Sequence, residues 1–230
     1  MEDLKEMSIL SSPDMMAFEN AIQCDVKHIP IKRAFDIVFS LLCLILGFPL
    51  FLIIGLFVLL TSPGSIIYSH ERVGRGGKPF RCYKFRTMYF DSDQRLKEIL
   101  KNDLKSKNEW EISFKLKKDP RITSIGSFLR KTSLDEIPQF WNVFRGDLSV
   151  VGPRPVIKEE IKKYYGIKAY KILSLRPGLT GPWQVSGRND CSYEERVGLD
   201  EHYLDHHSFL GDLKLIAKTV PAMLFSKGAY

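Results

Sequence analysis

One stretch constrains this chain more than any other. From Ile37 to Leu60 only Ser40, Gly47, Pro49 and Gly55 fall outside the hydrophobic set, and no charge interrupts the run. As a straight helix it would reach ~36 Å, enough to cross a ~30 Å hydrocarbon core. It is apolar on every face, which argues against a buried helix of a soluble domain. It begins too late for a cleavable signal peptide, and no small-residue cleavage site follows it. The segment belongs in a membrane.

How it sits there is a separate matter. Lys27, Lys32 and Arg33 flank one end, and Arg72, Arg75 and Lys78 the other. Three against three gives the positive-inside rule nothing to orient, and suggests that both ends stay cytoplasmic. Pro49 lies mid-run, where it removes a backbone donor and crowds the preceding turn, and Gly47 loosens the helix just ahead of it. This predicts a helix–break–helix that enters one leaflet and returns. A single kinked pass is the alternative, since membrane helices tolerate proline.

The remainder reads as a folded domain. With 230 residues, 44% hydrophobic and 27% charged, wholesale disorder is excluded. A formal net charge of +7 fits acidic partners such as anionic lipid, nucleic acid or phosphorylated substrates, without choosing among them. No RNA- or DNA-binding motif occurs, so nucleic acid is not expected as a partner. Cys24, Cys43, Cys82 and Cys191 are far apart, with no C-x-x-C pair, and read as reduced thiols.

The expected fold class is α+β and mostly helical, in three parts: a leader over residues 1–30, the membrane segment over 31–63, and a small catalytic domain over 64–230. Ser65–Arg72 and Pro79–Met88 read as strands around Gly74-Arg75-Gly76-Gly77, hence a β-hairpin. Those glycines read as a turn, because no helix follows them at phosphate-loop spacing. Residues 92–105 predict a polar helix with Leu96, Ile99, Leu100 and Leu104 on one face. Another carries Ile122, Ile125, Phe128 and Leu129. Ile137, Phe140, Trp141 and Phe144 recur at i, i+3, i+4 and i+7, an amphipathic helix ending near Gly146. Val151–Pro155 is a stiff loop, 156–172 a helix, Arg176–Asn189 a glycine-containing loop, and helices are expected near 192–206 and 211–225.

Asp135-Glu136 sits where the Ile137–Phe144 helix should begin. Unpaired backbone N–H groups there favour an anion, so the carboxylates should stay ionised and help hold a phosphate. Ser133 could equally cap that helix with Glu136 reaching back, although Pro138 fits better if Asp135 is the cap. Around this pair stand basic residues suited to diphosphates. Lys84 and Arg86 share a strand face, Arg130 lies about a turn upstream, Arg154 is held between prolines, and Arg176 and Arg188 bracket the glycine-containing loop. His202 and His206 stand four apart on an expected helix. With no third ligand at sensible spacing, they read as surface or packing residues.

Five ordered motifs then carry a resemblance. They are Lys32–Asp36, Tyr83–Met88, Ser133–Glu136, Gly146–Pro155, and Arg176–Gly181 with Trp183–Asn189. Over residues 31–225 the chain resembles the bacterial sugar transferase family, the monotopic polyprenyl-phosphate phosphoglycosyl transferases. The resemblance implies a re-entrant helix broken at Pro49, both ends at the cytoplasmic face of the bacterial inner membrane, and a minimal form without further N-terminal spans. Phe48 stands where the family often has serine, so the geometry of the break stays open. It further implies that Asp135 is a nucleophile attacking the β-phosphorus of a UDP-sugar, with UMP leaving and a polyprenyl (undecaprenyl) phosphate as acceptor. Mg²⁺ would lie close to Asp135 and Glu136, with Lys84, Arg130 and Arg154 as phosphate contacts and Asp200 at an acidic family position. Exopolysaccharide or capsule synthesis, a glucose or galactose donor, and membrane lipid as a partner are expected; a homodimer stays open. The rival from another class is a membrane adaptor whose basic domain binds anionic lipid or nucleic acid, without catalysis.

Overall fold

The computed structural model describes residues 29–113, 116, 119–166, 168–186 and 191–224, so residues 1–28 of the leader and Arg188 lie outside the described residues. Helix α1, Pro30–Thr61, contains the apolar run and is the one helix among the described residues long and apolar enough to cross a membrane. Pro30 falls in its first turn, where a missing N–H is harmless. α1 is helical on both sides of Pro49 and through it, so no non-helical residue marks the expected break. One proline removes one backbone bond, and every other turn of an apolar helix still satisfies itself.

Both ends of α1 pack on the domain that follows. Near the N-terminal end, Asp36 accepts hydrogen bonds from Ser149 Oγ at 3.0 Å and Val150 N–H at 2.9 Å. Lys32 pairs with Asp212 at 2.6 Å, and Arg33 donates to the Val143 and Phe144 carbonyls at 2.7 Å each. Lys32 and Asp36 are buried and bolt the helix to protein. Toward the other end, Phe51 packs on Phe85 with ring centres 4.7 Å apart, and Ile54 and Val58 join a core with Phe85 and Leu129. Between them, from Leu41 to Ile53, no residue is buried.

The hairpin forms as expected. β1, Ile67–Val73, pairs antiparallel with β2, Pro79–Phe85, in the register Ile67 opposite Phe85 and Val73 opposite Pro79. The glycine segment is a tight turn in which Gly76 and Gly77 take positive φ of 67° and 74°. The polar region gives α2, Ser92–Asn102, and α3, Leu104–Ser113. α4 is Ser124–Thr132, begun by Thr123, whose hydroxyl accepts from Gly126 N–H at 2.9 Å.

α5 is shorter than its apolar spacing suggests, Gln139–Arg145. Its buried face is Gln139, Asn142 and Val143, while Trp141 is exposed and stacks on Phe144. The reason is Asn142. Its amide donates to the Arg81 carbonyl at 2.7 Å and accepts from Tyr83 N–H at 3.0 Å, so α5 is tied to β2 by a polar lock. Phe140 turns toward Phe39 of α1.

Two further strands stand where loops were expected: β3, Ser149–Val151, pairs parallel with β4, Gly178–Thr180. Close backbone approach makes this pairing possible, since a Cβ on Gly178 would run into the Gly152 backbone. The expected helix over 156–172 is divided. α6, Lys158–Glu160, continues into a wide turn over Ile161–Tyr165, and α7 is Lys168–Ile172. Gly166 at φ 48° separates the two. The chain then forms α8, Pro182–Val185, α9, Tyr193–Asp205, and α10, Phe209–Leu224. The main core gathers Val143, Leu148, Val150, Val151, Ile161, Ile172 and Leu204 between the sheets and helices.

Candidate active site

Asp135 does not begin a helix. Leu134–Glu136 is a single 3-10 turn, with α5 starting after Pro138. Ser133 makes no side-chain cap; it ends α4 in the left-handed region at φ 57°, the one positive φ outside glycine among the described residues. That conformation costs a serine about 1 kcal/mol and turns the chain sharply from α4 into the acidic pair. The sharp turn, not a helix dipole, aims the carboxylates.

Lys84 bridges them from β2. Its ammonium lies 2.6 Å from Glu136 Oε1 and 3.9 Å from Asp135 Oδ2. The ammonium is thus hydrogen-bonded to Glu136 and only near Asp135, and this difference separates their chemistry. Burial pushes the Asp135 carboxyl up to about 6, with Lys84 and Arg130 pulling it down and Glu136 pushing it up. For Glu136 burial also raises the pKa, but Lys84 and Arg154 outweigh it and hold the group below the ordinary glutamate value. At neutral pH both are ionised, and Asp135 is the more basic and less hydrated of the two. Such a carboxylate is suited to nucleophilic attack.

Arg130, on the last turn of α4, completes this side: its Nε donates to Thr87 Oγ1 at 2.9 Å, and its charge acts on Asp135. Arg154 leaves β3 between Pro153 and Pro155, and its charge acts on both Glu136 and Asp200. Asp200, on α9, is completely buried, and burial pushes its carboxyl up to about 7, against the Arg154 main-chain N–H and guanidinium.

Two expected phosphate contacts are elsewhere. Arg86 follows the end of β2 and turns to the far end of α1, donating to the Pro63 carbonyl at 2.9 Å and to the Ser62 carbonyl. The strand ends at Phe85, so strand alternation no longer places Arg86 beside Lys84. Arg176 donates from Nε to the Gly146 carbonyl at 2.8 Å, capping the end of α5 near Arg33 and Arg75. Both arginines hold the fold.

Other residues escaped the sequence reading. Trp183 lies beneath two guanidinium groups, with the Arg154 and Arg196 carbons each 4.7 Å from its ring centre. Glu160 pairs with Arg72 at 3.6 Å and accepts from Tyr193 O–H at 3.2 Å. Arg196 carries no motif signal, being one of many charges on expected helices, whereas Trp183 stood inside a recognised motif. His202 and His206 stack with ring centres 4.2 Å apart, and no group of three metal-ligating side chains occurs among the described residues. Two adjacent hard carboxylates do suit Mg²⁺, which usually takes one or two from protein and fills its shell with water and phosphate oxygens.

Comparison with known proteins identifies the family. The bacterial sugar transferase family model matches residues 27–226. The exopolysaccharide production protein ExoY of Sinorhizobium fredii is 47% identical over 199 residues, covering 86% of this chain and 88% of that protein. The UDP-galactose-lipid carrier transferase of Erwinia amylovora is 50% identical over 200 residues, and the undecaprenyl-phosphate galactose phosphotransferase of Salmonella typhimurium 48%. The chain spans 42% of each of those two longer relatives. With a family match over almost the whole length, the chain belongs to the bacterial sugar transferase family.

Proposed function

We propose that this protein transfers a sugar-1-phosphate from a UDP-sugar to a polyprenyl phosphate at the cytoplasmic face of the bacterial inner membrane. The observation that carries it is the buried Asp135 carboxylate beside Lys84, Arg130 and Glu136 on a strained turn. An Asp135 oxygen attacks the β-phosphorus. The bond from that phosphorus to the oxygen bridging the α-phosphate breaks, and UMP leaves with the electron pair. Lys84 and Arg130 balance charge on the phosphoryl oxygens. The acceptor phosphate then attacks the acyl phosphate, returning the Asp135 carboxylate and releasing polyprenyl-diphosphate-sugar. Asp135 and Glu136 would hold Mg²⁺, which supplies charge neutralisation for the diphosphate. The names of the relatives favour galactose or glucose as the sugar, and exopolysaccharide or capsule as the product served.

Packing supports re-entry of α1. A domain on one side of a membrane meets only one end of a spanning helix, whereas here Asp36 and Ile54 are both buried against the same domain. The stretch without a buried residue, Leu41 to Ile53, is ~20 Å long as a helix, short of a ~30 Å core.

Asp135→Asn tests the chemistry, because it removes the nucleophile at constant volume. Purified protein with UDP-glucose or UDP-galactose and undecaprenyl phosphate should release UMP, and the variant should release none. Undiminished UMP from Asp135→Asn would end the covalent reading. Single cysteines at residues 10 and 227, in a background without native cysteines, test topology with an impermeant thiol reagent on intact cells. Neither should label; labelling of residue 10 alone would show a spanning helix.

A further inference from the structure

Beside the acidic pair lies a second cluster that the attack on phosphorus does not use. Arg154 and Arg196 reach the same Trp183 ring from the loop after β3 and from α9, each at 4.7 Å. The Nε donors of both arginines and the Trp183 indole N–H are buried without a hydrogen-bond partner among the described residues. Neither arginine forms an ion pair among the described residues, although carboxylates are near. Glu160 is already committed to Arg72, the Tyr193 hydroxyl and the Ile157 N–H. Asp200 does not balance the cluster either. Its carboxyl is pushed up to about 7, and its oxygens complete no hydrogen bond of good geometry, although the Arg154 main-chain N–H acts on them. Three buried donors without acceptors, two of them cationic, are costly unless an anion enters.

We propose that Arg154, Trp183 and Arg196 form the cradle for the α-phosphate of the nucleotide, the group that becomes the phosphate of the departing nucleoside monophosphate. This rests on the reaction proposed above and assigns its leaving-group side. Arg154 touches both regions electrostatically, acting on Glu136 on one side and Asp200 on the other. A diphosphate can therefore run from the phosphorus at Asp135 past Arg154 to Arg196. Stacking on Trp183 holds the guanidinium planes while leaving their N–H edges available for phosphate oxygens. The alternative source of a phosphate is the lipid acceptor. The cluster's elements argue for the soluble nucleotide: two of its three residues, Trp183 and Arg196, come from α8 and α9, whereas α1 packs chiefly on α4, α5 and β3.

The experiment is equilibrium binding by calorimetry to the full chain in lipid nanodiscs, carrying Asp135→Asn so that no turnover occurs. UMP, uridine and undecaprenyl phosphate are the three probes. Adding Arg196→Gln should weaken UMP at least about tenfold and leave undecaprenyl phosphate unchanged, with uridine weak in both proteins. Arg196→Lys, which keeps the charge but loses the planar fork, should fall between and guards against a folding artefact in the glutamine variant. UMP bound equally by the parent and both variants overturns the cradle and leaves the proposed reaction standing. Loss of undecaprenyl phosphate instead of UMP assigns the cluster to the acceptor and overturns it too. A parent protein that binds neither UMP nor undecaprenyl phosphate brings down the reaction itself.

Discussion

Asp135 has to be ionised to attack phosphorus, and its surroundings set the pH at which it is. With the carboxyl at about 6, the raised pKa means that activity is present above this value and lost as pH falls through it. Such a group is about 90% ionised at pH 7 and about 10% at pH 5, so the first half-reaction should slow roughly tenfold over that interval. An aspartate at the ordinary 3.8 would lose only about 5% of its ionised form between the same limits. The assay is rapid-quench measurement of the UMP burst from UDP-sugar without acceptor, which removes the lipid phosphate's own ionisation from the profile. Asp200 also titrates, at about 7, so the measurement is repeated in Asp200→Asn, where the limb near 6 must persist. Lys84→Met supplies the internal check. An ammonium 3.9 Å away lowers the Asp135 pKa, and its removal should move the midpoint upward by about one unit, the low end of such effects because Lys84 is 37% exposed. A burst rate flat from pH 5 to 8, or a midpoint indifferent to Lys84→Met, would refute the assignment of Asp135 as nucleophile.

Asp36→Ala should destabilise the protein by about 2–3 kcal/mol in detergent unfolding, since it removes two hydrogen bonds to a buried carboxylate and leaves the Val150 N–H unpaired. Asp36→Asn keeps an acceptor oxygen and should recover most of that loss. Arg86→Met should lower thermal stability by about 1–2 kcal/mol while leaving KM for UDP-sugar within about twofold, because its partners are the Ser62 and Pro63 carbonyls. A large rise in KM would return Arg86 to the phosphate site. Arg154→Lys should reduce kcat/KM by about tenfold or more, as an ammonium neither stacks on Trp183 nor presents a fork to phosphate; an unchanged value would make Arg154 a loop residue only.

Sequence alone determined the membrane segment, the hairpin, the acidic pair and the family, because each is written in local composition or in motif order. A long uncharged apolar run has no other stable environment, and two strands around glycines have few alternatives to a hairpin. It could not determine which of many cations meet Asp135 and Glu136. Lys84 and Arg86 are two residues apart, yet one bridges the carboxylates and the other caps the end of α1, because β2 stops between them. The apolar stripe through Ile137 and Phe144 misplaced the buried face of α5, since the fold pins that helix through Asn142. The β3–β4 pair joins segments far apart in the chain through backbone contact at glycines, which leaves no periodicity to read. Asp135 owes its basicity to burial, and burial is decided only when α4, β2 and the turn at Ser133 come together. Types and order of residues are local properties of the chain; the depth and company of a carboxylate belong to the packed structure.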